Sequence, residues 1–101
     1  MVTLSRALWV RLEAKAGKAD DVAAFLAQGF QLAQQETTTP VWFSLRLGPT
    51  TFAIFDAFAD DTGRQTHLNG PIAKALLAIV PTLLTAPPSI EQVDVLGAKV
   101  P

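Results

Sequence analysis

Thr51-Phe-Ala-Ile-Phe-Asp-Ala-Phe-Ala-Asp-Asp-Thr-Gly-Arg-Gln-Thr-His-Leu-Asn-Gly-Pro71 changes character halfway along. Thr51 to Ala59 is apolar with one carboxylate, Asp56, set into it, and reads as a strand. Asp60 suits the N-cap of a helix over Asp61–Leu68. Asn69-Gly70 ends that helix, and Pro71 suits the first position of the next. The only histidine of the chain, His67, lies on the short helix. An acid in an apolar strand and a lone titratable base thus fall on consecutive elements.

Upstream, Val41 to Leu47 reads as a second strand, joined to the first by the short loop Gly48-Pro49-Thr50. If that loop is three residues long, Leu47 pairs with Thr51 and Trp42 lies opposite Asp56. Any even shift of register still keeps Trp42, Ser44, Arg46, Asp56 and Phe58 on one face. Further back, Ala7 to Ala14 alternates as a strand, with Leu8, Val10 and Leu12 on one side. Ala16-Gly17 breaks it. Lys18 to Gln34 then follows helical spacing through Val22, Phe25, Leu26, Gly29, Phe30 and Ala33, with Asp20 and Asp21 in the first turn, where carboxylates suit the helix dipole. Downstream, Ile72, Ala75, Leu76, Ile79 and Val80 stripe a further helix that Pro81 either ends or kinks, in the second case with Thr82 to Leu84 as one more turn. Ser89 to Ala98 reads as the last strand.

Strand–helix–strand occurs twice, so residues 1–101 are expected to form one α+β domain. The predicted arrangement is ferredoxin-like, βαββαβ, with a four-stranded antiparallel sheet and helices on one face. The other face should then alternate polar residues. It does not. Phe52, Ile54 and Phe58 point one way, Ala53, Phe55 and Ala57 the other, and Val41, Phe43, Leu45 and Leu47 oppose Trp42, Ser44 and Arg46. Both faces read as buried, and the simplest cover for the helix-free one is the sheet of a second copy. A homodimer is predicted on this argument alone.

Composition narrows the function. Half of the residues are apolar, 17% are charged and the net charge is −1. That is too apolar for disorder, and there is no basic stripe for nucleic acid. No cysteine is present, which excludes disulfides, thiolate metal sites and a cysteine nucleophile. One histidine does not make a histidine-rich zinc or iron site, so no metal is expected. No apolar run approaches the ~20 residues that span a bilayer, and the first ten residues lack the parts of a secretory leader. A soluble, cytoplasmic protein without membrane contact is expected.

Among candidate site residues, Asp56 lies between Phe52, Ile54 and Phe58 and should be partly desolvated. Burial would raise its pKa; Arg46 or Arg11 nearby would lower it. It is a catalytic candidate or a structural ion-pair partner. His67 has the one side chain that titrates near neutrality and would suit proton abstraction from a phenol. Otherwise it is a helix-end residue bonded to a carbonyl. Trp42, Arg46, Phe52 and Phe58 mix rings with a charge, as ligand pockets do. Ser44, Asp56 and His67 hold the ingredients of a hydrolase triad, but no Gly-x-Ser-x-Gly elbow surrounds Ser44. No phosphate-binding glycine loop is present.

Three segments resemble the antibiotic biosynthesis monooxygenase domain family. These are Ala14-Lys-Ala-Gly-Lys-Ala-Asp20, Phe52–Phe58 through His67-Leu-Asn-Gly-Pro71, and the tail Pro87–Pro101. The likeness extends from about Leu8 to Pro101. It implies a dimeric α+β barrel in which each protomer holds a pocket between its sheet and its own helices. It implies oxygenation of an aromatic phenol, quinol or polyketide-like substrate with dioxygen, without metal or flavin. Asp56 and His67 would then be the catalytic pair, with Trp42, Phe52 and Phe58 as the wall. The alternative is a non-catalytic small-molecule-binding or structural dimer of the same fold. The chain departs from the family in three ways. It has no tyrosine, where quinone-forming members use one. It reads Glu36-Thr-Thr-Thr-Pro40 where relatives often read Glu-Pro-Gly. His67 does not match the iron-ligand position of haem-degrading relatives.

Overall fold

The loop Gly48-Pro49-Thr50 sets the register of the sheet. Leu47 and Gly48 both donate backbone hydrogen bonds to the Thr51 carbonyl, and Trp42 lies opposite Asp56. The structure is a computed structural model that describes residues 3–101; Met1 and Val2, the start of the expected 1–101 domain, lie outside the described residues. In chain order the elements are β1 (Arg6–Glu13), α1 (Ala19–Ala33), β2 (Val41–Arg46), β3 (Thr51–Phe58), α2 (Asp61–Leu68), α3 (Pro71–Leu83) and β4 (Ser89–Asp94). The strands lie in the order β2-β3-β1-β4, every neighbouring pair antiparallel. This is the ferredoxin-like α+β fold, with the second helical segment divided into α2 and α3.

The helices form because their apolar residues recur on one face. Val22, Leu26, Gly29 and Ala33 are the buried residues of α1, and Ile72 and Leu76 those of α3. They close over Leu8, Val10, Leu12, Phe52, Ile54 and Phe58 of the sheet. Burying each of the larger side chains contributes about 1.5–3 kcal/mol. Asp60 caps α2, its carboxylate accepting a hydrogen bond from the Gly63 amide at 2.9 Å. Gly17, at φ 77°, makes the left-handed turn between β1 and α1. No helix among the described residues is long and apolar enough to cross a membrane.

Of the two readings at Pro81, the helix continues for a further turn, to Leu83. The end of α3 is tied to the segment after β1, where Lys15 donates its backbone amide to the Leu83 carbonyl and its ammonium to that of Pro81. One boundary differs from the sequence expectation. β4 stops at Asp94 rather than Ala98. Its neighbour in the sheet, β1, begins at Arg6, which lies opposite Asp94. Val95 makes one further backbone bond, to Ser5, and the tail then leaves the sheet with Leu96 fully exposed.

Candidate active site

Asp56 and His67 meet. His67 Nε2 lies 2.9 Å from Asp56 Oδ2, although the contact is bent away from hydrogen-bond geometry. The other ring nitrogen, Nδ1, makes a 2.7 Å hydrogen bond to Oε1 of Glu36. The same oxygen accepts the hydroxyl of Thr39 at 2.8 Å. Asp56 is 1% exposed and His67 6%. Two carboxylates thus bracket one imidazole inside the protein. They sit on opposite ring nitrogens, so the three groups do not converge on a point where an ion could sit.

The local sequence explains the arrangement. Gly63, His67 and Gly70 recur at helical spacing along α2 and its end. A Cβ at Gly63 would stand 3.1 Å from the Thr38 carbonyl. Gly63 thus lets the loop after α1 lie against α2, which brings Glu36 to His67. β3 delivers Asp56 from the other side, and the ring of Phe58 packs at 5.5 Å against the imidazole.

Burial is the largest influence on Asp56 and raises its pKa above the ordinary 3.8, with His67 acting in the opposite sense. The opposing group is therefore the histidine and not Arg46 or Arg11. Burial would lower the pKa of His67, but Asp56 and Glu36 together outweigh it and hold the value above 6.5. The two shifts agree in meaning: the bracketed pair keeps its proton to higher pH than free side chains would.

Asp56 and His67 line a cavity of about 30 Å³ whose remaining walls are apolar, among them Leu8, Ile54, Ile72, Leu76 and Ile90. Among the described residues, the buried side-chain atoms that make no hydrogen bond of good geometry are both oxygens of Asp56, Oε2 of Glu36 and Nε1 of Trp42. Unsatisfied buried polar atoms are uncommon, and here they gather on three residues around one histidine and its neighbouring strand.

The other candidates fall in two places. Phe58 touches His67, and Trp42 pairs with Asp56 while its ring stacks on Phe30 at 6.4 Å between centroids. Arg46 and Phe52 pair with each other four residues further along, about 13 Å away. There the guanidinium lies 4.8 Å over the Phe52 ring, and both line a separate surface cleft with Ala23 and Ser44. Ser44 is exposed and does not join Asp56 and His67. Sequence reading missed Glu36 and Thr39, for an acid in a polar loop carries no periodic signal.

The fold defines a class, the ferredoxin-like α+β proteins. Two structures described as a "putative antibiotic biosynthesis monooxygenase" share the fold. The one from Deinococcus radiodurans is 21% identical with a TM-score of 0.79, over 94% of this chain and 96% of that one. The one from Nitrosomonas europaea is 14% identical with a TM-score of 0.80, over 91% and 99%. A protein of unknown function, also from Nitrosomonas europaea, is 53% identical with a TM-score of 0.96, over 100% of this chain and 98% of that one. The chain belongs to the family of that protein. No family model and no curated protein matches it.

Proposed function

We propose that the protein is a monooxygenase that oxidises an electron-rich phenol, quinol or related aromatic compound with dioxygen. The observation that carries this reading is the buried Asp56–His67 pair at the edge of an apolar cavity between the sheet and its helices. Such a pair removes a proton from a weakly acidic substrate in a water-poor space. The resulting anion passes one electron to dioxygen, and the substrate radical and superoxide combine to a peroxide anion. That anion takes a proton back from the pair. Loss of water from the hydroperoxide then converts a CH2 group into a carbonyl. One oxygen atom ends in the product and the other in water. The substrate supplies four electrons and both hydrogens of that water, so no metal or flavin is invoked.

A cavity of about 30 Å³ holds water or dioxygen but not an aromatic ring. Substrate entry therefore requires the wall of Ile72, Leu76 and Ile90 to part. The tightness of this cavity favours a second reading, a non-catalytic binding or structural dimer. Oxygen uptake with a panel of anthrones and hydroquinones, wild type against His67→Ala, separates the two. Uptake that falls about 10²-fold or more in the variant supports catalysis; no uptake with any substrate supports the second reading.

The working form in either reading is a homodimer joined through the helix-free face of the sheet. Phe43 is 54% exposed and Leu45 37% there, beside the Phe43–Phe55 ring pair at 6.5 Å. Ala7, Ala53 and Ala57 share that face but are already buried within the single chain. The chain exposes 6075 Å², above the about 5,500 Å² expected of a compact 10.8 kDa monomer.

A further inference from the structure

Both nitrogens of His67 are engaged, so the imidazole offers no free nitrogen to a substrate. The two contacts are unequal. Nδ1 to Glu36 is short and well aligned at 2.7 Å, and Thr39 holds the same carboxylate oxygen. Nε2 to Asp56 is 2.9 Å and bent. An imidazole with a single proton is therefore better served by carrying it on Nδ1. Asp56 retains Oδ1, which is buried without a partner on a residue that lines the apolar cavity. One carboxylate holds the ring from behind; the other stands at the cavity.

We propose that Glu36 is a positioning residue that fixes His67 with its proton on Nδ1, and that Oδ1 of Asp56 is the atom that takes the substrate's acidic hydrogen. The second half rests on the oxygenation reading; the first half does not. In this arrangement the substrate's proton moves to Asp56 Oδ1. In its charged form, with Nδ1 on Glu36 and Nε2 on Asp56 Oδ2, His67 keeps Asp56 ionised and so able to take that proton. The charged groups that act on His67 are Asp56 from β3 and Glu36 from the α1–β2 loop. Arg64, on α2 itself, is committed to Asp61 and to the carbonyls of Ala7 and Val93. β1, α3 and β4 present apolar side chains to the cavity.

Because His67 is the only histidine, nitrogen-15 NMR of tag-free protein labelled at histidine reads this ring alone. The expected wild-type spectrum shows Nδ1 protonated on both sides of the titration. Glu36→Gln should lower the pH at which His67 loses its charge, and should cut oxygenation by roughly tenfold to hundredfold. Thr39→Val, which frees Glu36 without removing it, should shift the midpoint the same way by less, and serves if Glu36→Gln does not fold. Asp56→Asn should abolish oxygenation while Nδ1 stays protonated. A neutral wild-type ring protonated on Nε2, or the same midpoint in both Glu36→Gln and wild type, overturns the role of Glu36. Oxygenation that persists in Asp56→Asn overturns the role of Oδ1. Absence of uptake with every substrate defeats the oxygenation reading and the substrate role of Asp56 with it, while the spectra still decide Glu36.

Discussion

His67 and Asp56 bind their proton more tightly in the folded protein than in the unfolded chain, and this fixes the sign of a pH effect. The folded pKa of His67 lies above 6.5, so its contribution to stability is fully present below 6.5 and is lost as pH rises through the folded value. Asp56, raised above 3.8 by burial, acts in the same direction from a lower starting point. Denaturant midpoints should therefore fall between the acid and the alkaline side of the His67 titration, and His67→Ala should flatten that fall. An equal slope in the variant would show that other groups set it. At this scale Asp56 and His67 were legible as candidates because their residue types are out of place, an acid in an apolar strand and a lone histidine. Glu36 was not legible. Its role depends on Gly63 admitting the loop to α2, a tertiary approach that leaves no local pattern.

Among the elements, α2 has the most to lose from a single change. It is short, its buried residues are Gly63, Arg64 and His67, and its first turn depends on the Asp60 carboxylate. Asp60→Ala should cost about 1 kcal/mol, which for a domain of this size lowers Tm by about 5 °C. Thermal unfolding followed by circular dichroism measures it; an unchanged Tm would show that packing against the α1–β2 loop holds the helix without its cap. The strands and helices were readable because hydrophobic period, capping residues and turn residues agree along this chain. The error came where tertiary pairing decides: β4 stops at Asp94, opposite the first residue of β1.

For the whole molecule, the fold follows from the order of elements, and the helix-free apolar face follows from the absence of polar alternation on β2 and β3. Phe43 and Leu45 are exposed on that face as the alternation implies. Light scattering coupled to size exclusion should give twice the protomer mass of 10.8 kDa, and Phe43→Asp should yield monomers. A wild-type monomer would contradict the sheet-to-sheet dimer. The division of the site was less readable, since one sheet face carries both the Asp56 cavity and the distant Arg46–Phe52 cleft, and periodicity does not say which part of a face is hollow. Chemistry at Asp56 and His67 is tested most directly by oxygen consumption under labelled dioxygen, with anthrones and hydroquinones, in wild type and His67→Ala. A monooxygenase places one labelled atom in the product and one in water, at a rate lower by about 10²-fold or more in the variant; unlabelled product, or equal rates in the two proteins, would contradict that chemistry.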